Sequence, residues 1–335
     1  MNSDTPTSEI RPFFIVGSGR SGSTLLRVIL ANHARISIPP ETWFVLDLVR
    51  KFSANQPLTA KQQLEAIEMV TSHYRWPDLN IQTDELKGWV GLQEEPSLRG
   101  FLETIYQQYA RREGKDVWGD KTPPYVNILP ELSDLFPEAR FIHLVRDGHD
   151  VSKSFQKMGT YGPALYANAS EWKKSINAFR SASARDSIKS RTIEIRYEQL
   201  VLDTVPTINR ICDFIGIEFA PTMLDWEHDL GDKIPSREAH IHSKLSRKPK
   251  ASDAFRWEKE MSGLEVFTIE SHIANELKWA GYKVRFGNLG WKPVLLMVRA
   301  YSETVVPLAF LAKRVSAFLL KRARTVFHRI PFLHM

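Results

Sequence analysis

The fold is decided by residues 12–26, which read PFFIVGSGRSGSTLL. Residues 12–16 form a short uninterrupted apolar run, which is typical of a strand that is buried on both faces of a sheet. A glycine-rich segment follows at 17–24, and the apolar residues between 25 and 30 then recur at helical spacing. Strand, glycine-rich turn and helix in this order predict the opening unit of a parallel α/β sheet.

Two later segments predict units of the same kind. Residues 139–145 form an apolar run that breaks at Arg146 and continues into residues with helical spacing. Residues 192–197 alternate in the manner of a strand, and a helical pattern follows from about residue 205 to residue 215. The two segments predict two more strands of the same parallel sheet.

The composition excludes a disordered or fibrous chain. Of the 335 residues, 43% are hydrophobic and 25% are charged, which is the balance of a soluble globular protein. The polar stretch 42–114 predicts helices without a strong strand, so we interpret it as an insertion between the first two units. We therefore predict one α/β domain over residues 1–285 and a helical tail over 286–335.

The cysteine content and the first residues predict the cellular compartment. Cys212 is the single cysteine, so the chain forms no intramolecular disulfide and has no cysteine-based metal site. Residues 1–12 lack both the basic and the apolar region of a signal peptide. These features predict a cytoplasmic protein.

The positive charge of the chain is concentrated in the tail. The net charge is +6, yet residues 286–335 carry eight lysines and arginines against one glutamate, which leaves residues 1–285 near neutral. This distribution speaks against nucleic-acid binding by the domain. Apolar residues at helical spacing alternate with cations in the tail, which predicts a helix over 291–329 lying on the cytoplasmic face of a membrane. The alternatives are packing on the protein's own sheet or on a second copy in a homodimer.

The glycine-rich segment predicts a phosphate site. Gly17 and Gly22 have the spacing of a Walker A loop, whose backbone N–H groups surround a phosphate together with the start of the next helix. A nucleoside triphosphatase has a lysine after the last glycine, whereas this chain has Ser23 followed by Thr24, with Arg20 inside the loop. The segment therefore favours phosphate binding without ATP or GTP hydrolysis. The alternative is an ordinary glycine-serine turn.

Two other segments carry candidate anion ligands. Arg146 directly follows the second predicted strand and Ser154 lies eight residues later, so the two can hold a second phosphate. Lys121 stands in GDKTPP, where the prolines stiffen a loop and reduce the entropy that the lysine loses on binding an anion. The alternatives are a helix cap with a surface ion pair and a solvated lysine.

Taken together, these segments and the sequence RYEQL at 196–200 resemble the sulfotransferases that use 3′-phosphoadenosine-5′-phosphosulfate (PAPS). The arrangement is most similar to bacterial and tyrosylprotein sulfotransferases, and the likeness runs from about residue 13 to residue 282. It implies a three-layer, P-loop-like α/β domain with a central parallel sheet flanked by helices. It also implies that the first loop binds the 5′-phosphosulfate, that Arg146 and Ser154 bind the 3′-phosphate, and that a basic loop at 243–252 covers the nucleotide. The nucleotide contacts predicted in this way are Gly19, Arg20, Ser21, Gly22, Ser23, Thr24, Arg146, Ser154, Tyr197, Lys248 and Ser252.

The resemblance also implies the catalytic groups. Sulfuryl transfer needs a base for the acceptor hydroxyl and positive charge near the leaving group, but no metal. Arg20 and Lys121 can supply the charge. Glu41 stands where the tyrosylprotein relatives have a catalytic glutamate, and its alternative role is to cap the helix that follows. His33 and His143 are the competing bases, and both are expected to be structural.

The predicted function is transfer of a sulfuryl group from PAPS to a hydroxyl group of a carbohydrate, a glycolipid or another lipid-like acceptor. Tryptophans in or beside the insertion can stack on such an acceptor, although tryptophan is more often a core residue; they are Trp43, Trp76, Trp89 and Trp118. One alternative is a P-loop kinase acting on a small molecule, which Ser23 in place of lysine disfavours. Another is a membrane-associated scaffold with a vestigial nucleotide loop.

Overall fold

A parallel five-stranded sheet organises the part of the chain that the structure describes. The structure is a computed structural model, and it describes residues 11–54, 56–91, 96–228, 230, 235 and 243–287. The predicted tail helix and its membrane contact over 291–329 lie outside these described residues. Membrane association and a homodimer therefore stay predictions.

The strands run in the spatial order β2-β3-β1-β4-β5, and all neighbouring pairs are parallel. Their bounds are Phe13–Gly17 (β1), Ile36–Ser37 (β2), Val117–Lys121 (β3), Arg140–Val145 (β4) and Thr192–Arg196 (β5). Phe13 lies opposite Gly119 of β3 and Arg140 of β4, so β1 occupies the centre of the sheet. The carboxyl ends of all these strands consequently meet at one edge.

Helices connect the strands. The α-helices are Ser23–Ala31 (α1), Phe44–Lys51 (α2), Ala60–Thr71 (α3), Thr83–Val90 (α4), Leu98–Arg112 (α5), Leu129–Leu135 (α6), Gly148–Met158 (α7), Leu165–Ala182 (α8), Asp186–Lys189 (α9), Tyr197–Leu202 (α10), Thr204–Ile215 (α11), Trp257–Glu260 (α12) and Gly263–Trp279 (α13). Short 3-10 helices span Trp76–Leu79, Pro123–Ile128, Pro221–His228, Ser243–Ser246 and Ala251–Asp253. The helices α2 to α5 lie in the segment between β2 and β3.

Side chains of β1 alternate between two hydrophobic clusters. Phe14 and Val16 belong to a cluster built with the segment between β2 and β3, whereas Phe13 and Ile15 belong to a cluster built with α1 and α11. Every one of these side chains is at most 1% exposed. The sheet is therefore covered by helices on both faces, which confirms the predicted three-layer α/β architecture.

The apolar runs predicted three of the strands, and β1, β4 and β5 confirm them within one residue at each end. The sequence did not indicate β2, which has only two residues. It placed Lys121 on a loop, but the structure places it at the end of the buried strand β3. That expectation was wrong because β3 reads VWGDK, so its polar residues conceal a strand whose charged side chains are buried with partners.

Contacts divide the described residues into two compact units. The first unit contains the described residues up to Arg146 and those from Lys174 to Arg256, and the second contains Asp147–Lys173 and the described residues from Trp257 onward. The sheet and both hydrophobic clusters belong to the first unit. Among the described helices, none has the length and apolar character needed to cross a bilayer.

The second unit contains a buried histidine between two carboxylates. His149 Nδ1 lies 2.8 Å from Asp147 Oδ1, and His149 Nε2 lies 3.1 Å from Glu270 Oε1. The ring of Trp257 stacks on the imidazole at a centroid distance of 4.2 Å. Burial by itself would lower the pKa of His149, but hydrogen bonds to the two carboxylates raise it to about 9. The charged imidazolium thus joins the start of α7 to α13.

Replacing His149 by glutamine should destabilise the protein more at about pH 6 than at about pH 10. The raised pKa means that the native state gains the full interaction below the ordinary histidine pKa of 6.5 and loses it as the pH rises through about 9. Melting temperatures of the parent and the variant across this range measure the effect. His33→Gln is the control, because burial lowers the pKa of His33, so that this histidine is neutral in both states and its effect should stay constant between about pH 8 and about pH 10, where the effect of His149→Gln still changes. A His149→Gln effect that is constant with pH would contradict the assignment.

Candidate active site

The carboxyl ends of the strands bring candidate residues from distant parts of the sequence to one edge of the sheet. The glycine-rich loop follows β1, Glu41 follows β2, Lys121 ends β3, Arg146 follows β4 and Tyr197 follows β5. In open parallel sheets, ligands bind in crevices outside this edge. The order β2-β3-β1-β4-β5 also places the reversal of strand order at β1, beside the glycine-rich loop.

The backbone of the glycine-rich loop requires glycine at two positions. Gly17 has a φ of +147°, and a Cβ there would lie 2.4 Å from the carbonyl oxygen of Leu144. Gly22 has a φ of +90°, and a Cβ there would lie 2.3 Å from the ring of Tyr197. Arg20 takes the left-handed conformation with a φ of +67°, which is uncommon outside glycine and concentrates at functional sites.

The loop presents groups that suit an anion. Helix α1 begins at Ser23 and no side chain caps it, so its first backbone N–H groups are available to a ligand. Ser21 is 1% exposed, and its hydroxyl group has no hydrogen-bond partner among the described residues. A buried polar group of this kind costs free energy unless a ligand or water satisfies it.

A cavity opens beside the loop, and arginines dominate its charge. Its lining consists of Arg20, Gly22, Ser23, Thr24, Leu25, Arg146, Tyr197, Leu245, Arg247, Pro249 and Asp253. The Arg146 guanidinium lies over the Tyr197 ring, 4.3 Å from its centroid, and Nη1 of the same side chain is 3.4 Å from the Arg20 carbonyl oxygen. Arg247 Nη1 lies 2.8 Å from Asp253 Oδ2. The single carboxylate of the wall is therefore already paired.

The other predicted nucleotide ligands are not among the lining residues of this cavity. Gly19 and Ser21 belong to the loop but not to the lining of the cavity. Lys248 is exposed and its ammonium is 3.5 Å from Glu227, and Ser252 is exposed at a short 3-10 helix. Ser154 lies in α7, in the second compact unit.

Lys121 and Glu41 form a buried ion pair. Lys121 is 2% exposed, and its ammonium donates a hydrogen bond to Oε1 of Glu41. The same ammonium lies 3.4 Å from the hydroxyl oxygen of Thr24, which lines the cavity. The lysine thus links the wall of the cavity to the glutamate.

The second oxygen of Glu41 is also occupied. Arg75 Nη2 donates to Oε2 at 3.0 Å, and the indole N–H of Trp43 donates to the same oxygen at 2.7 Å. Burial by itself would raise the pKa of Glu41, but Lys121, Trp43 and Arg75 lower it below the ordinary value of 4.5. The carboxylate is therefore ionised at neutral pH. No side chain caps α2, whose first residue is Phe44.

A polar network fixes the residue next to Glu41. The Thr42 hydroxyl donates to Asp120, the Thr42 backbone N–H donates to Thr122 at 3.0 Å, and the Tyr106 hydroxyl donates to Asp120 at 3.0 Å. Asp120 is completely buried, and this burial raises its pKa to about 6. Thr42 directly follows Glu41, and Asp120 directly precedes Lys121 in β3. The network therefore ties the backbone that carries Glu41 to the strand that carries Lys121.

The two histidines that compete with Glu41 have structural contacts. His143 is fully buried in β4 and stacks on Phe179 with ring centroids 3.5 Å apart. His33 lies after α1, and its Nδ1 accepts a hydrogen bond from the Arg35 backbone N–H at 3.1 Å. Within the described residues, no group of three or more histidine, cysteine or acidic side chains is arranged to hold a metal ion.

Comparison with known families settles the class of protein. Residues 12–221 match the model of the sulfotransferase family, a span that includes all the strands of the sheet. The chain belongs to the sulfotransferase family. This membership confirms the enzyme class that the sequence resemblance implied.

Relatives of known name lie in the same family. The nodulation protein NoeE of Sinorhizobium fredii is 31% identical over 143 residues, which cover 43% of this chain and 30% of NoeE. Protein-tyrosine sulfotransferase 2 of Gallus gallus is 24% identical over 284 residues, which cover 82% of this chain and 70% of the chicken enzyme. The chain thus spans about a third of NoeE and most of the chicken sulfotransferase.

Solved sulfotransferase domains share the fold. The sulfotransferase domain from the curacin biosynthetic pathway superposes with a TM-score of 0.57 at 23% identity, covering 82% of this chain and 98% of that domain. The sulfotransferase domain of the Synechococcus PCC 7002 olefin synthase gives a TM-score of 0.57 at 24% identity, covering 82% and 96%. Both likenesses concern the fold alone.

Two arginines of the candidate site have no clear signal in the sequence. Arg247 lines the cavity, and only its place in the basic loop 243–252 could have indicated it. Arg75 contacts Glu41 although 33 residues separate them, and nothing in the polar, helical segment around Arg75 marks it.

Proposed function

We propose that this sulfotransferase moves a sulfuryl group from PAPS to a hydroxyl group of a carbohydrate, a glycolipid or another lipid-like acceptor. The observation that carries the proposal is the position of Lys121, whose ammonium reaches both Thr24 on the cavity wall and the carboxylate of Glu41. One cation thus stands between a phosphate-binding loop and a candidate base. This is the arrangement that an in-line displacement needs, because the leaving group and the attacking hydroxyl lie on opposite sides of the sulfur.

The donor would bind in the arginine-lined cavity. The loop residues from Gly19 to Thr24 would hold the 5′-phosphosulfate, with the uncapped start of α1 and the unpartnered Ser21 hydroxyl as neutral donors. Arg146 and Ser154 would hold the 3′-phosphate, and Tyr197 would contact the nucleotide. We add Arg247 to this set because it lines the cavity, beside the earlier candidates Lys248 and Ser252.

Three side chains have separate roles in the proposed reaction. Glu41 accepts the proton of the acceptor hydroxyl, whose oxygen forms a bond to sulfur as the bond between sulfur and the 5′-phosphate oxygen breaks. The released 3′-phosphoadenosine-5′-phosphate (PAP) keeps the electron pair of that bond. Lys121 and Arg20 stabilise the negative charge that develops on the bridging oxygen. The residue after Gly22 is serine rather than the lysine of a nucleoside triphosphatase, which supports this reading over a P-loop kinase.

A second cavity, lined in part by Trp43, would receive the acceptor. Its lining residues are Trp43, Leu46, Asp47, Arg50, His73, Pro124 and Asn127. The indole of Trp43 is hydrogen-bonded to Glu41, so this cavity lies next to the candidate base. An indole side chain together with carboxylate, amide and guanidinium groups suits a ring with several hydroxyl groups. Asp47 offsets Arg50 there, which disfavours selection of strongly acidic peptides.

Radiolabelled PAPS offered with separate acceptors tests the proposal. The acceptors are neutral oligosaccharides, galactosylceramide in vesicles, and a tyrosine-containing acidic peptide. We expect label to transfer to a saccharide hydroxyl, free or on the glycolipid. Transfer to the peptide alone would show that the chain shares the acceptor of its protein-tyrosine relatives. Label transfer from ATP with Mg²⁺, with none from PAPS, would refute the donor.

Paired variants of the basic loop distinguish its two candidate cations. Arg247→Ala should weaken PAP binding at least about tenfold, because a charged hydrogen-bond donor leaves the cavity wall. Lys248→Ala is the matched control and should change the affinity by less than about threefold, because Lys248 is exposed and faces Glu227. Isothermal calorimetry with PAP measures both. A larger loss with Lys248→Ala would favour the ligand that the sequence predicted.

Catalytic and binding roles separate in a second set of variants. Lys121→Ala and Glu41→Gln should lower turnover about a hundredfold or more, because each removes a group that acts on the reacting atoms. Glu41→Gln should keep the affinity for PAP. Arg146→Ala should instead weaken PAP binding, with a smaller effect on turnover at saturating PAPS. Equal losses of PAP affinity in Glu41→Gln and Arg146→Ala would show that Glu41 is structural.

A further inference from the structure

Arg75 is a buried arginine whose guanidinium bridges two carboxylates. It is 8% exposed and directly precedes the 3-10 helix Trp76–Leu79. Nη2 donates to Glu41 Oε2 at 3.0 Å, and Nη1 donates to Asp78 Oδ2 at 3.3 Å. A planar guanidinium fixes the direction of its hydrogen bonds more strictly than an ammonium does. Arg75 therefore defines where Oε2 of Glu41 lies.

The surroundings of Arg75 hold it in this position. Its backbone N–H donates to Nδ1 of His73 at 3.1 Å. The next residue, Trp76, is 5% exposed and packs edge-on against Phe44, with ring centroids 6.3 Å apart. Because Phe44 begins α2 three residues after Glu41, the same packing positions both ends of the Arg75–Glu41 pair.

The two oxygens of Glu41 have different partners. Oε2 accepts hydrogen bonds from the neutral indole of Trp43 and from the delocalised cation of Arg75. The core fixes the positions of both donors. Oε1 faces the ammonium of Lys121, which also lies 3.4 Å from Thr24 on the wall of the donor cavity. A base needs one free oxygen, and a bound sulfuryl donor needs the ammonium. A single displacement of Lys121 from Oε1 toward the donor meets both needs.

We propose that Arg75 is a positioning residue that anchors Oε2 of Glu41, so that Lys121 can leave Oε1 for the bound donor without the carboxylate following it. This inference rests on the proposed function of the same site. Without the anchor, attraction between Glu41 and Lys121 would pull the carboxylate toward the donor and away from the acceptor hydroxyl. With the Arg75 anchor, Oε1 becomes free only when the donor is bound. The acceptor therefore binds productively only after the donor has bound.

The exchange also changes the proton affinity of Glu41. Among the described residues, Lys121 from β3 and Arg75 are the charged groups paired with this carboxylate, and Asp78 is paired with Arg75. When Lys121 moves to the donor, Glu41 loses one of its two cationic neighbours and becomes a stronger base. Arg75 remains and limits that increase, so Glu41 stays ionised until the acceptor arrives.

Steady-state kinetics of Arg75→Gln and Arg75→Lys tests this role. The donor is PAPS, and the acceptor is whichever of the three probes the parent enzyme sulfates. If the parent sulfates none of them, the hydrolysis of PAPS to PAP is measured instead. We expect Arg75→Gln to lower kcat at least about tenfold with the KM for PAPS changed less than about threefold. Removing the guanidinium also raises the pKa of Glu41, so the acidic limb of the kcat profile should move to higher pH. Arg75→Lys should recover part of both effects.

Arg112→Gln is the matched control, because Arg112 lies in α5 of the same segment and its side chain is 40% exposed beside Glu85. An unchanged kcat in Arg75→Gln would overturn the proposal. The proposal would also be overturned if Arg75→Gln and Arg75→Lys lowered kcat equally while the acidic limb of the kcat profile stayed in place. That pattern describes a residue with only a structural role. If Arg75→Gln does not fold, Arg75→Lys takes its place: it keeps the charge but loses the planar two-point contact, so kcat must still fall at least about threefold, and an unchanged kcat would overturn the proposal. A parent enzyme that releases no PAP from PAPS would instead refute the proposed function.

Discussion

The buried ammonium of Lys121 sets the conditions that the surrounding site must meet. A lysine that is 2% exposed stays charged only if nearby groups replace the water it has lost. Glu41 supplies the opposite charge, and its own burial is then compensated by Arg75 and Trp43. The partners of one cation thus extend from the arginine-lined cavity, through Glu41, to the segment between β2 and β3.

The same pair would make Glu41, as the proposed base, a base of low intrinsic strength. A carboxylate that two cations hold ionised accepts a proton only when the transition state makes transfer favourable or when a cation leaves. The position of Lys121 between Thr24 and Glu41 offers the second route. Beneath it, Asp120 and its hydroxyl partners keep Thr42 and therefore the Glu41 backbone in place. Reactivity in this sulfotransferase would then depend on moving one side chain rather than on reorganising a loop.

The sequence predicted those parts of the fold that have strong local signals. The strands β1, β4 and β5 are apolar or alternating runs. In the glycine-rich loop, the spacing of Gly17 and Gly22 is one that only a few kinds of turn require. The short β2 and the polar β3 have no such signal, because β2 becomes a strand by pairing with β3, and β3 by pairing with β1 and by burial of its charged side chains. Candidate residues that follow strands were therefore easier to find than those positioned by tertiary packing.

Arg75 and Arg247 show why the rest of the site could not be read from the chain. Arg75 meets Glu41 because Trp76 and Phe44 pack together, which no spacing in the sequence encodes. In the basic loop, Arg247 and Lys248 are adjacent and chemically similar. Pairing with Asp253 orients the first toward the cavity wall, whereas the second faces Glu227. The basic residues of the loop could be recognised in the sequence, but only the structure shows that Arg247 is the one that lines the cavity.

In the proposed function, the arginine-lined cavity binds an adenosine nucleotide with phosphates at both the 3′ and 5′ positions. A thermal-shift titration compares PAP with ATP and GTP, each with Mg²⁺, on the full chain. A ligand that binds only the native state raises the melting temperature in a concentration-dependent way. We expect such a rise with PAP and little or none with ATP or GTP. Stabilisation by ATP with Mg²⁺ and none by PAP would contradict it.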